Sequence, residues 1–324
     1  MLGIHNFQLE SNGGIKLSCS IGVAYVKSSN TLSKEMRILQ TIRTASLHFS
    51  RSIHIHKDVI SGQNGQIIIA HGMLGSSGNW SSLSRRIAQE TGKSVVTFDA
   101  RNHGMSEHTE TMSYPEMAED MKSLITKSKA TLIGHSMGGR TAMYFALKYP
   151  DLVDKLAIVD VSPVNIDFDA TSSTEWNMSH FFYAMKAVEF PQNSSVFKAR
   201  KEADAQLAKR IQDPGLRAWL LMNVYQDSEG VIRWRVNLDT ILQAFKSHIR
   251  TFPNEDFGES QVFDGPSIFI GGANSEYIPV SDHPDILEKF PKATFEYIEG
   301  AGHWVHSQKP NEFLEVLLKF LQRS

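Results

Sequence analysis

Residues 131–139, Thr-Leu-Ile-Gly-His-Ser-Met-Gly-Gly, contain the pattern Gly-x-Ser-x-Gly centred on Ser136. The apolar run 131–133 predicts a short buried strand, and residues 137–149, which precede Pro150, predict a helix. A serine between such a strand and such a helix is typical of a nucleophile elbow, a tight and strained turn that lifts the hydroxyl out of a sheet. The stretch therefore predicts Ser136 as a nucleophile.

Short apolar strands alternate with helical patterns on both sides of this stretch. Such strands are predicted at residues 66–70, 94–98, 155–159, 267–270 and 293–298. Strands that are apolar on both faces and alternate with helices indicate a parallel sheet covered on both sides. We therefore predict an α/β fold with a mostly parallel sheet of the eight-stranded type and helices on both faces. Right-handed crossovers would bring the side chains that follow the strands together at one edge.

Residues 164–260 interrupt this alternation. Helical patterns at 174–189, 196–211 and 215–225 surround an alternating, extended segment at 230–237. An insertion of this size between two sheet strands predicts a lid over the strand ends. Its aromatic and methionine side chains either line an apolar substrate pocket or pack the lid helices together, and these side chains are Trp176, Met178, Phe181, Phe182 and Met185.

The first 50 residues differ from the remainder of the chain, so we predict two parts, residues 1–50 and 51–324. From Met36 the sequence MRILQTIRTASLHFSRS carries three arginines and no acidic residue. This composition is typical of a mitochondrial transit peptide, and it predicts a location in the matrix. A disordered tail or an incorrectly assigned start is the alternative interpretation.

The composition excludes several classes of protein. A formal net charge of −2 over 324 residues gives no overall attraction to nucleic acid or to anionic membranes. No run is long and apolar enough to span a bilayer. The single cysteine, Cys19, lies in the first 50 residues, so disulfides and cysteine metal sites are excluded from the remainder.

A nucleophilic serine needs a base, and His303 is the best candidate. It lies in the Gly-rich turn 299–304, after the last predicted strand and before the final helix. This position returns an imidazole to the strand ends, and the order serine then histidine is the one used by this architecture. His135 is adjacent to Ser136 but should point away along the turn.

The carboxylate that orients the base is left open among several positions. After the strand 267–270, where the acid is usual, the chain has Asn274 and Glu276 but no aspartate. Asp160 follows the strand next to the elbow, and Asp239 follows the extended segment of the lid. Each aspartate also has an ordinary structural explanation, as a turn residue or as a helix cap.

The oxyanion of an acyl-transfer reaction needs two backbone donors. The amide of Met137, directly after the nucleophile, is one candidate. The second is the amide of Met73, in the loop His71-Gly72-Met73-Leu74-Gly75 after the strand 66–70. Neither a metal ion nor an organic cofactor is implied.

Seven segments together resemble the α/β-hydrolase superfamily, and more narrowly the group of abhydrolase domain-containing protein 11 and its bacterial esterase relatives. They read HGMLGSSGNW, FDARNHGMS, GHSMGGRTAM, VDVSP, WRVNLD, FIGGANSEYI and AGHWVH, between residues 71 and 306. The resemblance implies Ser136 as nucleophile and His303 as base. It implies the acid at either Asp160 or Asp239, because both positions have been assigned in the group.

The resemblance further implies hydrolysis of esters and acylglycerols, including diacylglycerol, in mitochondria. It also implies an association with the 2-oxoglutarate dehydrogenase complex. We therefore predict a serine esterase or lipase that acts on a small-molecule ester. The alternatives are a thioesterase or acyltransferase that uses the same residues, or a binding protein that protects a multi-enzyme complex.

Overall fold

The computed structural model describes residues 3–10, 16–23, 52–164, 178–258 and 260–322. The chain divides into two units, Met1–Ser50 and Arg51–Ser324. In the first unit, strands β1 (Gly3–Glu10) and β2 (Lys16–Val23) form an antiparallel pair. The arginine-rich segment that begins at Met36 lies outside the described residues.

The second unit is built on a sheet whose seven strands are β3 (Lys57–Ile60), β4 (Gln66–Ala70), β5 (Ser94–Phe98), β6 (Ala130–His135), β7 (Val153–Val159), β10 (Ser267–Gly272) and β11 (Ala293–Ile298). Their order across the sheet is β11-β10-β7-β6-β4-β5-β3. In this sheet only β3, at one edge, runs antiparallel to its neighbour. The mostly parallel sheet is confirmed, with seven strands among the described residues where eight were expected.

Helices cover both faces of the sheet and form the lid. They are α1 (Ser81–Thr91), α2 (Tyr114–Lys122), α3 (Met137–Lys148), α4 (Met178–Lys186), α5 (Val196–Leu207), α6 (Pro214–Leu221), α7 (Leu238–Ala244), α8 (His283–Lys289), α9 (Val305–Gln308) and α10 (Pro310–Gln322). No helix of the described ranges is both long enough and apolar enough to cross a bilayer.

The interior strand β4 shows why both faces of the sheet are covered. All of its residues are buried, although successive side chains point to opposite sides. Ile68 belongs to the apolar cluster that includes residues of α2, α3 and the lid, whereas Ile67 and Ile69 pack with residues of α1 and α10. Burial of each such side chain stabilises the fold by about 1.5–3 kcal/mol.

The lid differs from the local pattern in the extent of its helices, since α4 ends at Lys186 and α5 at Leu207, and in one segment that is not helical. The sequence predicts a helix over residues 215–225, but α6 ends at Leu221 and Val224–Gln226 forms strand β8. It pairs with β9 (Ile232–Trp234) in a short antiparallel ribbon. Val224 is buried by this pairing, so tertiary packing outweighs the local helical periodicity.

The apolar side chains of α4 pack the lid. Phe181, Phe182 and Met185 are fully buried. The ring of Phe182 lies 6.0 Å from that of Phe245, and the indole of Trp234 donates to the Met185 carbonyl at 3.0 Å. The packing interpretation therefore holds for these three, while Met178 is half-buried and Trp176 lies outside the described residues.

Candidate active site

Ser136 occupies a strained turn between β6 and α3. Its φ of 53° and ψ of −119° lie outside the conformations that side-chain-bearing residues favour, at a cost of about 1–3 kcal/mol. The turn is held because the Ser136 amide donates to the Val159 carbonyl at 3.0 Å. Helix α3 begins at the next residue, so the hydroxyl stands at the positive end of the helix dipole.

The glycines on each side of Ser136 are needed for close packing of backbone. A Cβ atom on Gly134 would lie 2.3 Å from the carbonyl oxygen of Gly138. A Cβ atom on Gly138 would lie 2.5 Å from the carbonyl oxygens of Ala70 and His71. The neighbours in both cases are backbone atoms, which cannot move aside as a flexible side chain can.

Replacement of Gly138 by alanine is expected to destabilise the protein by about 1–3 kcal/mol, because the added methyl group overpacks the end of β4. Urea unfolding of Gly138→Ala measures this loss. The matched control is Gly258→Ala, since a Cβ atom at Gly258 meets nothing within 4 Å. Equal stabilities of the two variants would contradict the packing argument.

His303 bridges the elbow and a buried carboxylate. Its Nδ1 lies 2.7 Å from Oδ2 of Asp160, and its Nε2 lies 3.1 Å from Oγ of Ser136. A ring that donates through Nδ1 has its lone pair on Nε2, where it can accept a hydrogen bond from the serine hydroxyl. The arrangement can withdraw that proton during nucleophilic attack.

The carboxylate of Asp160 is fully buried at the end of β7 and is held by the next strand. Its Oδ1 accepts from the Gly272 amide at 2.9 Å, and its Oδ2 accepts from the Ser275 hydroxyl at 2.5 Å. Ser275 therefore joins the hydrogen-bonded chain of Ser136, His303 and Asp160, at the strand end where the acid is usual.

Tyr277 restrains the base from the same loop. Its ring stacks on the imidazole of His303 with centroids 3.9 Å apart and planes inclined by 22°. Sequence reasoning missed both Ser275 and Tyr277. Their position after β10 was the available sign, because the acid of this architecture usually follows that strand.

The other candidate acids lie elsewhere. Asp239, in the first turn of α7, is 80% exposed and forms an ion pair with Lys186. Asn274 and Glu276 have exposed side chains. Both ring nitrogens of His303 are paired, with Ser136 and Asp160, so Asp160 is the candidate that the structure brings to His303.

The loop His71–Gly75 lies directly against the elbow. A Cβ atom on Gly72 would lie 2.7 Å from Nδ1 of His135 and 3.3 Å from Cβ of Ser136, so glycine allows the loop to approach this closely. The Gly75 amide closes the turn on the Gly72 carbonyl at 3.0 Å. Met73 is the next residue of this loop, and Met137 is the first residue of α3, whose amide has no partner within the helix.

Two buried histidines fix the conformation of this loop. Nε2 of His71 accepts from the Ala100 amide at 3.0 Å, and Nε2 of His103 accepts from the Leu74 amide at 3.1 Å. Asp99 supports the following turn by accepting from the Ser77 amide at 2.7 Å. Through these hydrogen bonds the segment 99–104 helps to hold the loop 71–75 and the turn after it in position.

Four histidines around the site are held neutral by burial. Desolvation lowers the pKa of His103 and of His306 to about 3, lowers the pKa of His71, and lowers the pKa of His135 well below its usual value. Neutral rings can accept hydrogen bonds from backbone amides, as His71 and His103 do.

Stability is expected to fall as the pH decreases from about 6.5. For His103 and His306, the unfolded chain takes up protons near pH 6.5 and the folded chain only near pH 3. Between these values protonation favours the unfolded state, at about 1 kcal/mol per pH unit for each group. Thermal midpoints at pH 7, 6 and 5 should decline, with a shallower decline for His306→Phe. An equal slope in the variant would contradict this assignment.

A cavity of about 60 Å³ lies beside the loop 71–75 and the segment 304–307 that follows His303. Half-buried Trp219 of α6 and Trp304 contribute to its wall, with their rings 5.4 Å apart in an edge-to-face arrangement. Neither tryptophan was predicted for the site.

No three metal-ligating side chains lie close enough together to hold a metal ion within the described part of the chain.

Comparison with known proteins agrees with this fold. The model of the alpha/beta hydrolase fold family matches residues 66–310. The chain is 40% identical to the sn-1-specific diacylglycerol lipase ABHD11 of Mus musculus, over 79% of this chain and 80% of that protein. It is 31% identical to Esterase YbfF of Escherichia coli strain K12, over 80% and 93% of the two chains.

A solved structure titled marine microorganism esterase shares 35% identity with the chain. It superposes with a TM-score of 0.73 and covers 83% of this chain and 99% of its own. The chain belongs to the α/β-hydrolase family. These three proteins are named as a lipase and two esterases, which confirms the predicted enzyme class.

Proposed function

We propose that this protein is a serine hydrolase of carboxylic esters that acts through an acyl-enzyme. The observation that carries the proposal is the continuous hydrogen-bonded chain from Ser136 through His303 to Asp160. It lies at the edge where the parallel strands of the sheet end. A serine on a strained elbow, paired with an imidazole that is held by a buried carboxylate, is the arrangement that acyl transfer requires.

In this mechanism, Oγ of Ser136 attacks the ester carbonyl while Nε2 of His303 takes its proton. The amides of Met73 and Met137 donate to the oxyanion, and Asp160 stabilises the imidazolium that forms. His303 then passes the proton to the leaving alcohol. Water hydrolyses the acyl-enzyme by the same steps in reverse order.

For the substrate we propose an acylglycerol, diacylglycerol in particular. The support is the 40% identity to a protein named as an sn-1-specific diacylglycerol lipase. Incubation of the purified protein with dioleoylglycerol should release oleic acid, and Ser136→Ala should release none. Hydrolysis of short-chain esters without any release from diacylglycerol would refute the substrate and leave the hydrolase.

We also propose a mitochondrial location, on the composition of the segment that begins at Met36. Fluorescence microscopy of the full chain fused to a fluorescent protein at its C-terminus should show overlap with a matrix marker. A diffuse cytosolic signal would contradict this proposal. The association with the 2-oxoglutarate dehydrogenase complex stays a prediction of the resemblance alone.

A further inference from the structure

The loop His71–Gly75 contains a strained turn over its last four residues. The amide of Gly75 donates to the carbonyl of Gly72 at 3.0 Å, and Leu74, the third residue of the turn, has a φ of 59°. A type II turn needs a positive φ at this position, which glycine or asparagine adopts far more easily than leucine. Such a conformation persists only where the surrounding structure fixes it.

The structure fixes Leu74 from two sides. Its amide donates to Nε2 of His103 at 3.1 Å, and its carbonyl accepts from Nδ2 of Asn223 at 2.9 Å. His103 belongs to the segment 99–104, whereas Asn223 belongs to the lid, between α6 and β8. Leu74 and Asn223 are both buried, so loss of the Asn223 side-chain amide would cost the Leu74 carbonyl a partner that water does not readily replace.

The hydrogen bond from Asn223 fixes the plane of one peptide unit. The carbonyl of Leu74 and the amide of Gly75 belong to the same unit, and a peptide unit is planar. Asn223 therefore also fixes the direction in which the Gly75 amide points. That amide donates to the carbonyl of Gly72, which belongs to the preceding peptide unit of the turn, Gly72–Met73.

The Gly72–Met73 unit carries the Met73 amide, one of the two donors to the oxyanion in the proposed mechanism. Its carbonyl is held by the Gly75 amide and by Nδ1 of His71 at 2.7 Å. Because the carbonyl and the N–H of a trans peptide point in opposite directions, these bonds also set the direction of the Met73 N–H. Hydrogen bonds in such a series polarise one another, so the bond from Asn223 also makes the Met73 amide a stronger donor.

The backbone of Asn223 is itself held within the lid. Its amide donates to the Leu220 carbonyl at 3.1 Å, and its carbonyl accepts from the Arg235 amide at 2.7 Å. These bonds connect Asn223 to the end of α6 and to the segment that follows β9. The position of the lid is therefore transmitted to the turn through a side chain that has little freedom to move.

We propose that Asn223 is a positioning residue, through which the lid orients the Met73 amide and completes the oxyanion hole. The lid then contributes to the chemical step as well as to covering the strand ends. This inference rests on the proposed function and adds a residue to its mechanism. A role of Asn223 in stability or in substrate binding alone would leave kcat of the folded protein unchanged.

Asn223→Asp keeps the shape of the side chain but replaces its NH₂ group by a carboxylate oxygen, which repels the Leu74 carbonyl. With p-nitrophenyl butyrate at pH 8, kcat should fall by at least about 10-fold, a part of the 100-fold or more that removal of an oxyanion donor costs. KM should stay within about 3-fold, because the oxyanion forms only on the way to the transition state. Asn223→Leu also lacks the donor, so it should lose a similar factor and provides a second variant should the first not fold.

The pH dependence separates a lost hydrogen bond from a general disturbance of the lid. A buried carboxyl group has a raised pKa, and its protonated form can again donate to the Leu74 carbonyl. His103, on the other side of Leu74, stays neutral above pH 5, since burial lowers its pKa to about 3. From pH 8 to pH 5.5 the activity of Asn223→Asp relative to the wild type should therefore rise about 3-fold or more, whereas that of Asn223→Leu should stay constant.

The matched control is Asn237→Asp. Asn237 also docks the lid through its side-chain NH₂ group, which donates to Oδ1 of Asn102 at 3.1 Å and to the Thr109 carbonyl at 3.3 Å. These bonds run to the segment 102–109 instead of the turn 72–75, and an aspartate can still cap α7. Its kcat should stay within about 3-fold of the wild type.

An unchanged kcat in folded Asn223→Asp and Asn223→Leu, or a loss confined to KM, would overturn the inference and leave the hydrolase intact. An equal loss of kcat in Asn237→Asp would overturn it as well, since docking of the lid in general would then set the rate. A relative activity of Asn223→Asp that did not change with pH would exclude the donated hydrogen bond as the cause. Absence of hydrolysis by the wild type, together with absence of labelling at Ser136 by a fluorophosphonate, would refute the proposed function and the inference with it.

Discussion

Replacement of Ser136 by alanine is expected to lower kcat for ester hydrolysis by about 10⁶-fold, because no other group on the proposed path can form the acyl-enzyme. The fold should persist. Alanine keeps the Cβ atom that already occupies the turn, and the Ser136 amide still reaches the Val159 carbonyl. The hydroxyl contributes one contact, the hydrogen bond to His303.

Initial rates on a short-chain ester measure the effect, and the thermal midpoint of the variant provides the control. The midpoint should stay within a few degrees of the wild type, since about 1 kcal/mol is at stake in a single hydrogen bond. A folded Ser136→Ala protein that kept a hundredth or more of the activity would show that the nucleophile is a different group.

Replacement of Asp160 by asparagine is expected to lower kcat by about 10⁴-fold, the size of effect found when a carboxylate of this kind is neutralised in serine proteases. The amide has nearly the same shape but no charge, so it cannot stabilise the imidazolium. Its NH₂ group can also donate to Nδ1 of His303, which favours the wrong tautomer, the one with its proton on Nε2. The Gly272 amide at 2.9 Å still has an oxygen to bind.

Asp239→Asn is the matched control for this variant, because both aspartates were candidates for the acid on sequence grounds. Its exposed carboxylate pairs with Lys186, and surface pairs of this kind contribute little. Activity should therefore stay within about 2-fold of the wild type. If Asp239→Asn lost the large factor and Asp160→Asn did not, the lid would have to reorganise during catalysis and the geometry described above would not be the active one.

The elbow and the base were predictable because their patterns are local. Ser136 needs a tight turn whose glycines are visible in the sequence, and His303 follows the last strand in a Gly-rich turn. The sheet was predictable for a similar reason, since runs such as 66–70 are apolar at every position. The structure differs from the sequence prediction in the number of strands in the sheet and in the extent of the lid helices.

The identity of the acid was not predictable from the local sequence, because it depends on which aspartate the folded chain brings to His303. Asp160 and Asp239 each follow an extended segment, but only the first follows a strand of the main sheet adjacent to β6. Ser275 donates to Asp160, Tyr277 stacks on His303 and Trp80 stacks on His306, and each pair joins residues far apart in the chain. No local pattern encodes such contacts.

The most direct test of the central claim is active-site labelling of the purified protein with a fluorophosphonate, followed by peptide mass spectrometry. One adduct per chain is expected, on Ser136, and it should be absent in Ser136→Ala and form far more slowly in Asp160→Asn. An unlabelled folded protein, or an adduct that persists in Ser136→Ala, would contradict it.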